Sequence, residues 1–169
     1  RGRVFGVPPG MIAGLIARPD VDAVLVEADG SRSLPFKAPA GHEPVVPETT
    51  TILAPVVGLN CLDAPLDDDH VHRAELAAGI ANVTVGSSIT EDIIARVLAH
   101  PEGGAKQLPA GARLVPIINK ADTAPVLDRA RKLAGLLLAH PIVSAVAISS
   151  MLRQPPVIEC RNRGRFDHE

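Results

Sequence analysis

Two carboxylates at a spacing of two, Glu27 and Asp29, end the apolar run Val24-Leu25-Val26 and are followed at once by Gly30. Acids so spaced face one side of an extended chain, where they can hold a divalent cation or handle a proton; two solvated acids at a strand end would be written the same way. Downstream, Arg32, Lys37, His42 and Glu43 fall in a stretch punctuated by Pro35, Pro39, Pro44 and Pro47, with neither helical nor strand periodicity. Ordering such a stretch is entropically costly, which points to a binding loop. Within it His42 and Glu43, bracketed by Gly41 and Pro44, form either an acid–base pair or an exposed turn. Arg73 either pairs with Glu75 or serves an anion.

A second constellation lies far along the chain. Asn119-Lys120-Ala121-Asp122 has the form of the guanine-recognition tetrad of P-loop GTPases, at the end of the apolar run Leu114 to Ile118 and before a helix. A carboxylate such as Asp122 can accept from the N1 and N2 hydrogens of guanine, which adenine cannot reproduce, while the Lys120 stem lies along the base and Asn119 braces the loop. Ser150, in Ile148-Ser149-Ser150-Met151, falls where such proteins place a second base-contacting turn. The rival reading is a helix start at which Asn119 and Asp122 merely cap and turn. Glu27-Ala28-Asp29 in turn resembles a Walker B strand end, whose carboxylate, here Asp29, holds magnesium beside phosphates. No GxxxxGK[ST] loop occurs between Arg1 and Glu169, and Glu102 to Gln107 lacks both its spacing and its hydroxyl. Without that cradle, triphosphate binding is expected to be weak and hydrolysis is not expected unless a phosphate loop lies upstream. Cys61, Asp67, Asp69, His70 and His72 include good metal ligands, but their irregular spacing reads as a solvated acidic loop.

The elements that must position these groups alternate. Pro8 and Pro9 open a short helix over Met11 to Ala17, Asp22 to Val26 reads as a buried strand, and Thr50 to Val57 as another. Val71 to Ala78 suggests a helix, and Thr90 to Ala99 is the best amphipathic one, with a Thr cap and two acids in its first turn. Leu114 to Ile118 is a strand, Thr123 with Pro125 opens a helix to about Ala139, and Ile142 to Ile148 reads as the last strand. A strand is also written at Arg3 to Val7. Near-continuous apolar strands separated by helices predict a three-layer α/β domain with a mostly parallel sheet, over residues 1–160, with 161–169 as a polar tail that frays.

Composition narrows the partners. With 46% hydrophobic residues in 169 there is material for one sizeable core, but aromatics are 2%, namely Phe5, Phe36 and Phe166. Stacking on bases of a nucleic acid is therefore nearly excluded, and 17 Lys and Arg against 19 Asp and Glu give a net charge of -2 that gathers neither nucleic acid nor anionic lipid. No apolar run approaches the roughly 18 residues of a membrane span. Cys61 and Cys160 do not make a disulfide framework, and no secretory signal is written, so a cytoplasmic home is expected.

Taken together these residues resemble the YqeC family of selenium-dependent molybdenum hydroxylase accessory proteins. The resemblance is carried by Val24-Leu-Val-Glu-Ala-Asp-Gly-Ser-Arg32, Lys37-Ala-Pro39, His42-Glu-Pro44 with Pro47, Val71-His-Arg73, His100-Pro-Glu-Gly103 and Asn119-Lys-Ala-Asp122, in this order. It implies a P-loop NTPase-like fold and a cytoplasmic role in making or inserting a molybdenum cofactor. Members usually begin with a strand, a Gly-Gly-Gly-Lys-Thr type phosphate loop and a further strand, so the chain resembles the C-terminal two thirds of a member with its N-terminal part missing. By the same resemblance Asp29 would face magnesium, Asn119, Lys120 and Asp122 the base of GTP or another nucleotide, and Arg32, Lys37, His42, Glu43, His72 and Arg73 would line a site. Asn60 to Asp69 departs from the family's wording and carries nothing over. Two functions are thus expected: a nucleotide-dependent maturation factor acting with a molybdenum hydroxylase, or a non-catalytic module holding an anionic molybdopterin-type cofactor or a partner protein through Arg32, Lys37 and Arg73.

Overall fold

The computed structural model describes residues 6–163. Most of the strand written at Arg3 to Val7, together with Phe5, Phe166 and the tail residues Arg165, Asp167 and His168, lies outside them. The elements run α1 (Gly10–Ile16), β1 (Phe36–Lys37), β2 (Ile52–Leu53), β3 (Val56–Gly58), β4 (Val71–His72), α2 (Ala74–Ala81), α3 (Glu91–Ala99), β5 (Arg113–Leu114), β6 (Ile117–Asn119), α4 (Ala124–Ala139), β7 (Ala145–Ser149) and β8 (Val157–Asn162). The fold is α/β with mostly parallel sheets: β3-β6-β7-β8 form four strands in that order, with only β7 and β8 antiparallel, while β2 pairs β5 and β1 pairs β4, both parallel.

Two predicted strands are each split by a proline. Thr50 to Val57 becomes β2 and β3 around Pro55, and Leu114 to Ile118 becomes β5 and β6 around Pro116. Proline cannot donate to a ladder, but its carbonyl still accepts. Ile117 donates to the Pro55 carbonyl at 2.9 Å and Ala147 to that of Pro116 at 3.0 Å, so the ladder continues across both breaks. The parallel edge is then continuous from Thr51 to Gly58.

The helices follow their sequence signals. Thr90 caps α3 by accepting from the Ile93 amide at 3.4 Å, and Glu91 and Asp92 sit in its first turn against the positive end of the helix dipole. Pro125 sits in the first turn of α4, whose Ala130, Leu133, Ala134 and Leu137 are buried at helical spacing. α3 packs on α4 and on α2, and α4 on β7. The core is aliphatic, built on Ile94, Leu114, Ile118, Leu133, Leu137 and Ile148, with Phe36 as its sole aromatic among the described residues.

Four expectations are corrected. Asp22 to Val26 is no strand: it has no ladder partner among the described residues, and Leu25 is 97% exposed. Val71 to Ala78 is β4 followed by a helix that starts only at Ala74, because Arg73 takes a left-handed conformation that helical residues cannot share. Ile142 to Ile148 is not the last strand, since β8 returns antiparallel to β7. Arg161 and Asn162 belong to β8 rather than to a fraying tail, because they complete that ladder opposite Val146 and Ala145.

Candidate functional site

Parallel strands present their carboxyl ends on one edge, and the sequence places its chemistry there. β3 ends in Gly58, in register with Asn119 at the end of β6. A Cβ on Gly58 would stand 2.9 Å from Asn60 Oδ1 and 3.3 Å from both Lys120 Cδ and Pro35 Cβ, so a larger residue there would push these side chains back from the strand end.

The Asn119-Lys120-Ala121-Asp122 loop is braced from one side. The Ala121 amide donates to the Ser149 carbonyl at 3.1 Å, the Ser149 hydroxyl donates to Asn119 Oδ1 at 3.2 Å, and the fully buried Ser150 donates to Asp122 Oδ1 at 2.6 Å. Lys120 sits at φ +64, a left-handed conformation that costs a non-glycine residue on the order of 1–2 kcal/mol and turns its exposed side chain away from the strand direction. Strain of this kind survives where the surroundings over-determine it, as the Ser149–Ser150 turn does here. Asn119, Lys120, Asp122 and Ser150 therefore come together.

A second assembly forms around the proline-rich loop. Phe36, buried, pins β1 against β4 in the register Lys37 to His72, and this two-residue pairing brings Lys37 beside Arg73. Lys37 Nζ lies 2.8 Å from Asp29 Oδ2, donates to the Gly30 carbonyl at 2.9 Å and to Glu43 Oε2 at 3.1 Å. Arg73 grips both Glu43 oxygens at 2.8 Å and donates to the Ala38 carbonyl at 3.1 Å. The Arg73 fork, with Lys37 behind it, holds the Glu43 carboxyl down at about 2, so it is a fixed carboxylate. Arg73 pairs with Glu43 and not with Glu75, and Lys106 ties the same loop down by donating to the Ala40 carbonyl at 2.7 Å.

Other expected residues stay at the margin. His42 is 81% exposed and its Nε2 stands 3.8 Å from a Glu43 oxygen already claimed by Arg73, so an acid–base pair is not assembled. Burial first, and then the neighbouring Arg73, Arg32 and Lys37, push the His72 imidazole below its ordinary value. Arg32 is exposed, at φ +53. Glu27 is exposed and makes no ion pair among the described residues, whereas Asp29 is held by Lys37. Cys61 is buried, its thiol pushed up to about 12 by burial, and Asp67 is held by His70 at 2.7 Å; among the described residues no three of His, Cys, Asp and Glu are grouped to hold a metal.

The two assemblies share a wall. A cavity of about 990 Å³ is lined by residues 22–29 and 49–56, and Asp29, Lys37, Asn119 and Lys120 all line it. Sequence reasoning missed what joins them: the β1–β4 pairing and the left-handed residues Arg32, Ser33, Arg73 and Lys120 that turn the chain around the site. Strands of two residues carry no periodicity, and positive φ outside glycine leaves no mark in the wording.

Comparison with known proteins agrees with the residues. The YqeC protein family model matches residues 1–75. A curated Escherichia coli (strain K12) protein, described as uncharacterized protein YqeC, is 37% identical over 120 residues, which are 71% of this chain and 47% of that protein. The chain thus spans about half the length of the curated relative it matches. No solved structure matches. On the family model and this relative, the chain belongs to the YqeC family.

Proposed function

We propose that these residues form the base-recognition end and carboxylate wall of a guanine-nucleotide site, in a P-loop NTPase-like accessory factor for the maturation of selenium-dependent molybdenum hydroxylases. The observation that carries the nucleotide reading is the bracing of the Asn119–Asp122 loop by Ser149 and Ser150. A loop fixed in advance at a strand end presents an acceptor at little entropic cost, and Asp122, exposed, keeps one oxygen beyond the Ser150 bond for guanine hydrogens. The maturation role rests on family resemblance.

Magnesium at Asp29 fits the donor chemistry only in part. Asp29 supplies one carboxylate and is engaged by Lys37, and magnesium is usually held by one or two carboxylates together with substrate phosphates and water. The ion would serve to neutralise phosphate charge.

The alternative, an anionic molybdopterin-type cofactor or a partner protein held by Arg32, Lys37 and Arg73, loses ground to the same contacts. Arg73 and Lys37 are already neutralised by Glu43 and Asp29, which leaves Arg32 as the one of the three without an ion pair among the described residues. Binding of GTP and ATP by the protein at native length, with and without Asp122→Ala, tests the proposal. The unaltered protein is expected to prefer GTP, and Asp122→Ala to erase roughly 10- to 100-fold of that preference, the size of one charged hydrogen-bonded contact. Equal affinity for GTP and ATP in the unaltered protein would sink it.

A further inference from the structure

Asp29 already meets a cation, and that cation is a side chain. The Lys37 ammonium stands within 3.1 Å of three oxygens from three residues: Asp29 Oδ2 at 2.8 Å, the Gly30 carbonyl at 2.9 Å and Glu43 Oε2 at 3.1 Å. An ammonium carries three hydrogens and no acceptor, so three oxygens match its capacity. Oxygen surroundings with two carboxylates are also what a hard cation asks of a protein. The cage is fixed from several sides. Buried Phe36 and the register of β1 on β4 hold the Lys37 backbone, Val45 donates to the Ala28 carbonyl at 3.1 Å beside Asp29, and Arg73 takes both Glu43 oxygens at 2.8 Å. The Lys37 side chain is 14% exposed, so its charge is largely withdrawn from water and depends on these partners.

A divalent ion at Asp29 would have to displace this ammonium. Magnesium takes its oxygens at about 2.0–2.1 Å in near-octahedral geometry, whereas Lys37 beside the same carboxylate puts a like charge against the ion. Moving Lys37 away also breaks its bonds to Gly30 and Glu43. Charge balance points the same way. Asp29 and Glu43 carry two negative charges and Lys37 and Arg73 two positive ones, so the group is already neutral. A divalent ion would leave it with two surplus positive charges, next to a cavity that Lys120 also lines. We infer that Lys37 is the resident cation of Asp29, in place of a divalent ion, and that the cavity takes its ligand without a metal at Asp29. The statement about the ligand rests on the nucleotide reading proposed above, while the occupancy of Asp29 is independent of it.

Manganese titration of the protein at native length, without nucleotide and read by the electron paramagnetic resonance of the free ion, tests the occupancy. The unaltered protein and Asp29→Asn are expected to bind manganese equally. Lys37→Met, which removes the ammonium and keeps most of the stem, is expected to bind it at least about 10-fold more tightly, since a like charge is gone from contact with the site. Manganese bound by the unaltered protein and released by Asp29→Asn overturns the inference, and so does a folded Lys37→Met with no gain. If Lys37→Met does not fold, the comparison of the unaltered protein with Asp29→Asn still decides. GTP affinity in magnesium and in chelator tests the ligand statement, with the ratio of the two expected to be the same in the unaltered protein and Asp29→Asn. A magnesium gain that Asp29→Asn removes would mean that the ion enters with the ligand and displaces Lys37, which overturns it. Absence of GTP binding would sink the nucleotide reading and leave the manganese result to decide the occupancy.

Discussion

Glu43 concentrates the chemistry of the proline-rich loop in one side chain. Its carboxyl, ordinarily near 4.5, is held at about 2, first by the Arg73 fork and then by Lys37, and the group is largely shielded from water. A carboxylate depressed on folding stabilises the native state above its unfolded value, and that stabilisation disappears as pH falls from about 4.5 to about 2. Glu43→Gln should therefore destabilise the chain by on the order of 1–2 kcal/mol at pH 7 once solvent screening is allowed for, and by little at pH 2.5. Urea unfolding at the two pH values measures this, and an equal loss at both would show that the bond geometry, not the charge, holds the loop. Because Lys37 also touches Asp29, releasing Glu43 should loosen the carboxylate wall of the cavity as well.

Elements were legible in proportion to their length. α3 and α4 were readable to within about a residue from the Thr90 cap, the Pro125 entry and the 3.6-residue spacing of their buried faces. β6 and β7 could be placed because burial on both faces leaves an unbroken aliphatic run. Asp22 to Val26 has the same wording, yet it forms no strand, since a strand needs a neighbour and wording does not supply one. The Asn119–Asp122 loop could be placed at a strand end because its four residues are contiguous, whereas the Asp29–Lys37–Glu43–Arg73 network spans 45 positions and depends on a pairing of two residues each. Salt links between elements were equally invisible. Glu91, 4% exposed, takes Arg129 at 2.8 Å and Lys132 at 3.4 Å from α4, and its carboxyl is held at about 2. Glu91→Gln should cost roughly 1–2 kcal/mol by removing the buried carboxylate that Arg129 and Lys132 share at the α3–α4 contact, while Arg129 keeps its pair with Asp63. Chemical denaturation reads this, and a change under 0.5 kcal/mol would mean the helices are held by their apolar faces alone.

At the scale of the molecule, a groove whose backbone edges at residues 52–56 and 22–27 are unpaired among the described residues is expected to favour self-association. Leu25 is the most exposed large aliphatic side chain on those walls, so replacing it removes almost no burial from the folded chain. Leu25→Lys should leave stability within about 0.5 kcal/mol of the parent while lowering the fraction of dimer and higher species seen by sedimentation velocity. Net charge offers a rival explanation, and it can be separated. Leu25→Lys moves the formal charge from -2 to -1, which on its own favours association, whereas Leu25→Glu moves it to -3, which opposes it. If the apolar edge drives association, both variants suppress it to a similar degree, because either charge on an open edge resists the approach of another strand. Suppression by Leu25→Glu alone would assign the effect to net charge, and the groove would then have no part in how the chain meets copies of itself.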